Sequence, residues 1–217
     1  MRINYFCSFI SNLIHRIEII SIFATSSNFF KGEKKMSNEM IDVLNEDGIF
    51  TGEVLPRSEV HKRGLWHRAI VVAIVNEENE VLLQQRSEKK EKNAGMWDIS
   101  VAGHISAGQD SLSAAAREIN EEVSVLLGYR TEIKDFRYMY CFRKEQKFRE
   151  DFIERQFYDF FILRTSGVDD KTLYFQKDEV QDVKFVNLAT IQKMMENHEL
   201  VDRPEVYQVL INFLFRF

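Results

Sequence analysis

From residue 36 onward the chain alternates short apolar blocks with turn residues, and one helical stretch interrupts them. Ile41–Leu44 and Ile49–Val54 read as two short strands about Asp47-Gly48, a pair suited to a tight turn. Ala69–Val75 is an unbroken apolar, mostly β-branched run, which predicts a strand buried on both faces. Glu77-Glu78-Asn79 turns it, and Val81–Gln85 is expected to return as its hairpin partner, leading to Arg86. Trp97–Val101 reads as one short strand, Phe136–Phe142 and Ile153–Leu163 as aromatic-rich strands, and Val183–Val186 as another. Helices are expected from about Leu188 to Asn197 and from Pro204 onward. Val206, Val209, Leu210, Phe213, Leu214 and Phe217 make a helical stripe there, the pattern of core packing.

The helical interruption is GHISAGQDSLSAAAREINEEVSV, Gly103 to Val125. Ala115, Ala116, Ile119 and Val123 supply an apolar face, and Asp110 or Ser111 is placed to cap the start. Glu118, Glu121 and Glu122 stand at i, i+3 and i+4, so a helix gathers three carboxylates on one face. Like charges so placed repel unless a cation lies among them. Arg117 offsets part of this, and a hard divalent cation offsets more. A solvated acidic face is the other reading of such a helix.

The N-terminal 35 residues break the pattern. They are rich in Ile, Phe, Ser and Asn with no clean period, and Asn12, His15, Arg16 and Glu18 interrupt any signal-peptide core. No run reaches the ~18 apolar residues of a membrane span. Lys31 to Met36 reads KGEKKM, and one codon choice for it contains AAGGAG just before ATG, as a translated bacterial ribosome-binding site would. The expectation is therefore that residues 1–35 are a start-site misannotation, disordered in the product, and that 36–217 form one domain. A formal net charge of −5 over 217 residues offers no basic field for nucleic acid or an anionic membrane. Cys7 and Cys141 form no disulfide framework or metal motif, which suits a reducing cytoplasm.

The helical segment resembles the Nudix box, Gly-x5-Glu-x7-Arg-Glu-apolar-x-Glu-Glu-x-Gly-apolar. Gly103, Arg117, Glu118, Ile119, Glu121, Glu122 and Val125 match at the family spacing. Gln109 stands in place of the first Glu and Ser124 in place of the last Gly. The resemblance covers roughly residues 60–197 and implies an α/β fold, a Nudix α/β/α sandwich around a mixed β-sheet. It also implies Mg2+ (or Mn2+) held by Glu118, Glu121 and Glu122. The activity it implies is hydrolysis of a small-molecule diphosphate, of nucleoside diphosphate-X or prenyl type, with a homodimer left open. A non-catalytic binding or regulatory module on the same fold is the alternative.

Within that superfamily WHRAIVVAIV, VLLQQRS and GMWDISVAGHISAG resemble isopentenyl-diphosphate isomerases and related hydrolases. That likeness implies a second metal site from His61, His67, His104 and Glu154, of a chemistry suited to Mn2+ or Zn2+. Simple packing of the three histidines around a pocket is the competing reading. The same likeness implies diphosphate contacts from Arg86 and Lys90, with Lys89 and Lys92 nearby and the choice among the lysines open. Two departures strike the isomerase proton-transfer pair: Ala102 replaces the cysteine before the box glycine, and Gln156 replaces the second strand glutamate. Neither is an acid or base near neutral pH. Hydrolysis is thus expected over isomerisation, with Glu122, Glu154 or Glu179 as the base.

Overall fold

The computed structural model describes residues 39–90, 92–122, 135–168 and 178–214, with backbone alone for 120–122 and 213–214. The segment 1–35 expected to be non-native, and Ser124, lie outside the described residues.

The long apolar run folds as expected and becomes the centre. β1 (Met40–Leu44) and β2 (Phe50–Pro56) form the predicted antiparallel pair, followed by a seven-residue helix α1 (Arg57–Arg63). β3 (Trp66–Val75) then runs antiparallel to β6 (Val101–His104) and parallel to β8 (Phe152–Arg164), so the sheet is mixed. Ala69, Val71, Ala73 and Val75 face one core, while Ile70, Val72 and Ile74 face the other. This is the period-two consequence of a strand buried on both sides.

Helices cover both faces. The box helix α2 (Ser111–Glu122) buries Ala114, Ala115 and Ile119 against the Ile70 face. α3 (Leu188–Glu196) and α4 (Pro204–Leu214) bury Ile191, Met194, Val206, Tyr207 and Leu210 on the opposite one. The layers are those of an α/β/α sandwich. Asn187 caps α3 by accepting from the Thr190 N–H at 2.9 Å, and Asp110 caps α2 by accepting from Ser113 N–H at 2.9 Å.

Three local readings are corrected. β4 (Val81–Arg86) meets β3 only at Val75–Val81, and its main partners are β5 (Trp97–Ile99) and β9 (Val180–Val186). The strand expected over 97–101 is split into β5 and β6 by a bend at Ser100, whose hydroxyl donates to the Leu82 carbonyl and accepts from Ile74 N–H. β7 runs from Phe136 to Arg149, twice the expected length, because its second half alternates charged residues outward along an antiparallel pairing with β8. No helix among the described residues is long and apolar enough to cross a membrane.

Candidate functional site

Sheet register assembles the histidines. His67 on β3 lies opposite Gln156 on β8, and His104 on β6 lies opposite Ala69 on β3. His61 comes from α1, which ends at Gly64 in a left-handed conformation (φ 62°) that turns the chain into β3. A Cβ at Gly64 would stand a tight 3.2 Å from Ile153, and the left-handed backbone favours glycine there in any case. Three elements thereby bring the ligand atoms of His61, His67 and His104 within 4.8 Å of one another.

The trio is held by neutral hydrogen bonds. His67 donates through Nδ1 to the Leu65 carbonyl at 2.9 Å, which leaves its Nε2 lone pair facing inward. The Gln156 amide nitrogen stands 3.0 Å from His67 Nε2 and 3.1 Å from His104 Nε2, positioned to donate to both. His61 Nε2 meets His104 Nε2 at 3.1 Å, and the Tyr158 hydroxyl donates to the Gln156 carbonyl oxygen. Burial above all disfavours protonation. With nearby Arg57 and Lys92 adding to it, His61 is pushed down to about 3 and His67 to about 4, and His104 falls well below its ordinary value.

The box residues approach from the other side of β6. A Cβ at Gly103 would lie 2.4 Å from the carboxyl carbon of Glu118, so the glycine's missing side chain is what admits that carboxylate. Arg117 anchors it, with Nη2 2.9 Å from Glu118 Oε1 and 3.1 Å from the His104 carbonyl. Its Nε donates to Gln109 Oε1 at 3.4 Å, so the amide at the departed box position still accepts from the helix arginine. Glu121 and Glu122 lie on the last turn of α2, their side chains outside the description.

Glu118, Gly103, His104 and Gln156 line one cavity of about 210 Å3. Six cationic side chains also reach it: Arg57, Arg86, Lys90, Lys92, Lys144 and Arg203. Arg86, expected at a phosphate, spends Nε and Nη2 on the Lys92 carbonyl, at 3.3 and 3.2 Å, and Nη1 lies 3.5 Å from Asp98. The buried Asp98 also binds Arg203 at 2.8 Å, so one carboxylate fixes two arginines at the cavity wall. Lys90 pairs with Glu179 and Lys92 with Glu154, whereas Lys89 pairs with Asp178 in solvent and does not line the cavity. Of the carboxylates weighed as bases, Glu154 and Glu179 therefore each already hold an ammonium. Sequence reasoning missed Arg57, Lys144 and Arg203 and left Lys92 undecided. Arg57 is four residues before His61, a signal that speaks only once α1 is known to be a helix.

Known proteins resemble this chain in sequence and in fold. The NUDIX domain family matches residues 65–207. Nudix hydrolase 3 of Arabidopsis thaliana is 42% identical over 156 residues, which cover 70% of this chain but only 19% of that protein. The isopentenyl-diphosphate Delta-isomerase of Pectobacterium atrosepticum is 30% identical over 158 residues, 72% of this chain and 82% of its own. In fold, the crystal structure of DR0079 from Deinococcus radiodurans matches with a TM-score of 0.59 over 80% of this chain and 98% of that one, at 18% identity. With its box glycine, arginine and glutamate in place on a Nudix sandwich, and relatives on both the hydrolase and the isomerase side, the chain belongs to the Nudix family.

Proposed function

We propose that the protein is a metal-dependent hydrolase of a compact organic diphosphate. The observation that carries this reading is one small cavity that Glu118 enters over Gly103 and that six cationic side chains line, each held there by a carboxylate it can exchange for phosphate oxygens. Guanidinium forks and ammonium groups are the natural partners of phosphate oxygens. The cavity, at about 210 Å3, falls below the ~300–1,000 Å3 usual for larger ligands. That favours a prenyl-type or similarly short diphosphate over a dinucleotide.

Glu118, Glu121 and Glu122 would hold Mg2+ or Mn2+, since their oxygens are hard donors and Gly103 leaves a cradle for the first of them. When bound, such an ion acidifies water and neutralises charge on a departing phosphate. The chain's own residues do the rest. Arg86 and Lys90, with Arg57 beside them, orient the diphosphate, and Arg117 holds Glu118 and β6 in fixed relation. Because Glu154 and Glu179 are engaged by lysines, Glu122 is the carboxylate assigned to take the water's proton. His61, His67 and His104 form a second metal site in this reading; Glu154 lies outside the converged trio, paired with Lys92, and would complete the site on release from that pair. Three convergent imidazoles suit Mn2+ or Zn2+, and His67 already gives its other nitrogen to a carbonyl as metal-bound histidines do.

The test is phosphate release from nucleoside diphosphate compounds, dinucleotides and prenyl diphosphates, with and without Mg2+. Metal-dependent turnover of short diphosphates is expected. Tight binding of one of them with no turnover in any metal would instead identify a binding module.

A further inference from the structure

Lys92 lies in the charged loop after β4, yet its side chain is drawn inward. Its Nζ stands 4.4 Å from the ring centre of Phe152 and 4.8 Å from that of Phe148, and it pairs with Glu154. Phe152 in turn stacks on His61 with ring centres 4.6 Å apart, so one ring links the ammonium to the imidazole trio, and the Glu154 charge is felt at His67. Two aromatic faces and a carboxylate make a good seat for one cation. Glu154 is also the single carboxylate assigned above to the histidine site.

We propose that Lys92 is an internal cation that competes with a divalent metal for Glu154 and so sets the metal affinity of the histidine site. The inference rests on the reading of that trio as a metal site. Two features of the chain act in the same sense. The Gln156 amide donates toward two Nε2 atoms and satisfies lone pairs that a metal would otherwise take. Lys92 neutralises the remaining carboxylate. For Glu154 to take up a metal its pair with Lys92 would have to open, and the freed ammonium would turn into the cavity that Lys92 already lines.

The experiment is a Zn2+ titration of the full chain followed by imidazole 15N NMR, which reports on histidine nitrogens and not on the box glutamates. Lys92→Met keeps the aliphatic stem between the phenylalanines and removes the charge. Lys92→Gln is measured alongside, so that the comparison survives if Met lowers stability. Both variants are expected to bind Zn2+ more tightly than the wild type, on the order of tenfold to a hundredfold. The gain should vanish in a Glu154→Gln background. Equal affinity in wild type and both variants overturns the competition and leaves the histidine site standing. A gain that persists without Glu154 also overturns it, because charge alone then suffices. No nitrogen shift in any of these proteins overturns the metal reading, and the competition with it.

Discussion

The two sides of the cavity solve the problem of gathering polar ligands in opposite ways, and they share one strand. Gly103 and His104 are consecutive on β6, and consecutive residues of a strand face opposite sides. Gly103 opens toward α2 and admits Glu118, while His104 turns to the imidazole trio. On the carboxylate side Arg117 holds Glu118 at 2.9 Å. The imidazole side has lost its charge to burial and is tied together by an amide. A charged ligand set must stay near water or a counterion, so it forms on a half-solvated helix where local spacing suffices. A neutral set tolerates burial, and its inward Nε2 atoms meet one another and the Gln156 amide only through long-range packing, while the buried His61 Nδ1 is left without a partner.

The contrast is tested hardest by removing one box charge. Glu122→Gln preserves shape and deletes a proposed metal oxygen and proton acceptor. The expected loss of turnover is about a hundredfold or more at saturating Mg2+, with the melting temperature nearly unchanged. Zn2+ binding at the histidines should survive intact. Loss of both together would mean the two sides are one site.

Gly103→Ala attacks the border itself. The added methyl would lie 2.4 Å from the Glu118 carboxyl carbon, and the carboxylate must swing away. Because a side chain yields rather than backbone, the stability cost should be about 1 kcal/mol, the low end for overpacking. Turnover should fall by roughly tenfold to a hundredfold from misplacement alone. Activity like the wild type's would show that the contact of Glu118 with β6 serves packing only.

A gentler probe is pH. The folded-state values of His61 and His67, about 3 and about 4, lie below the ordinary 6.5. Below pH 6.5 the unfolded chain takes up protons that the folded chain refuses, so stability is undiminished above 6.5 and falls as pH drops toward 4. Each histidine held neutral contributes a slope of about 1.4 kcal/mol per pH unit in that window. Denaturant midpoints at pH 7.5, 6 and 5 should decline in that order, and His67→Asn should flatten the decline. A profile as steep in the variant would place the titration elsewhere.

How far the sequence could see follows the same division. The box helix and β3 were legible because their signals are local: a spaced glutamate set and an apolar run. The histidines came together as the family likeness implied, but nothing in their spacing predicts that β3, β6 and α1 converge. α1 was invisible because seven residues with only Val60 and His61 buried carry no period. The second half of β7 was hidden by its charges. Asp98 and Arg203 are 105 residues apart, and only the fold makes one fix the other. Lys92 was one of three lysines in a polar loop until Phe148 and Phe152 singled it out.

The smallest expected effect is none at all. Isomerisation of a prenyl diphosphate needs an acid and a base across the carbon skeleton. The positions where the isomerase-like pair would stand are now seen in space. Ala102 lines the cavity with a methyl group, and Gln156 has both ends of its amide committed, to two imidazoles and to Tyr158. Neither side chain carries a proton it can exchange near neutral pH. The buried Tyr158 hydroxyl is no substitute, since burial raises it above the ordinary value near 10. In D2O the protein should therefore incorporate no deuterium into isopentenyl or dimethylallyl diphosphate beyond a Mg2+-only control, even where it hydrolyses either compound. Incorporation above that control would mean that Glu154 or another cavity group moves the proton, and the imidazole side would then be catalytic in its own right.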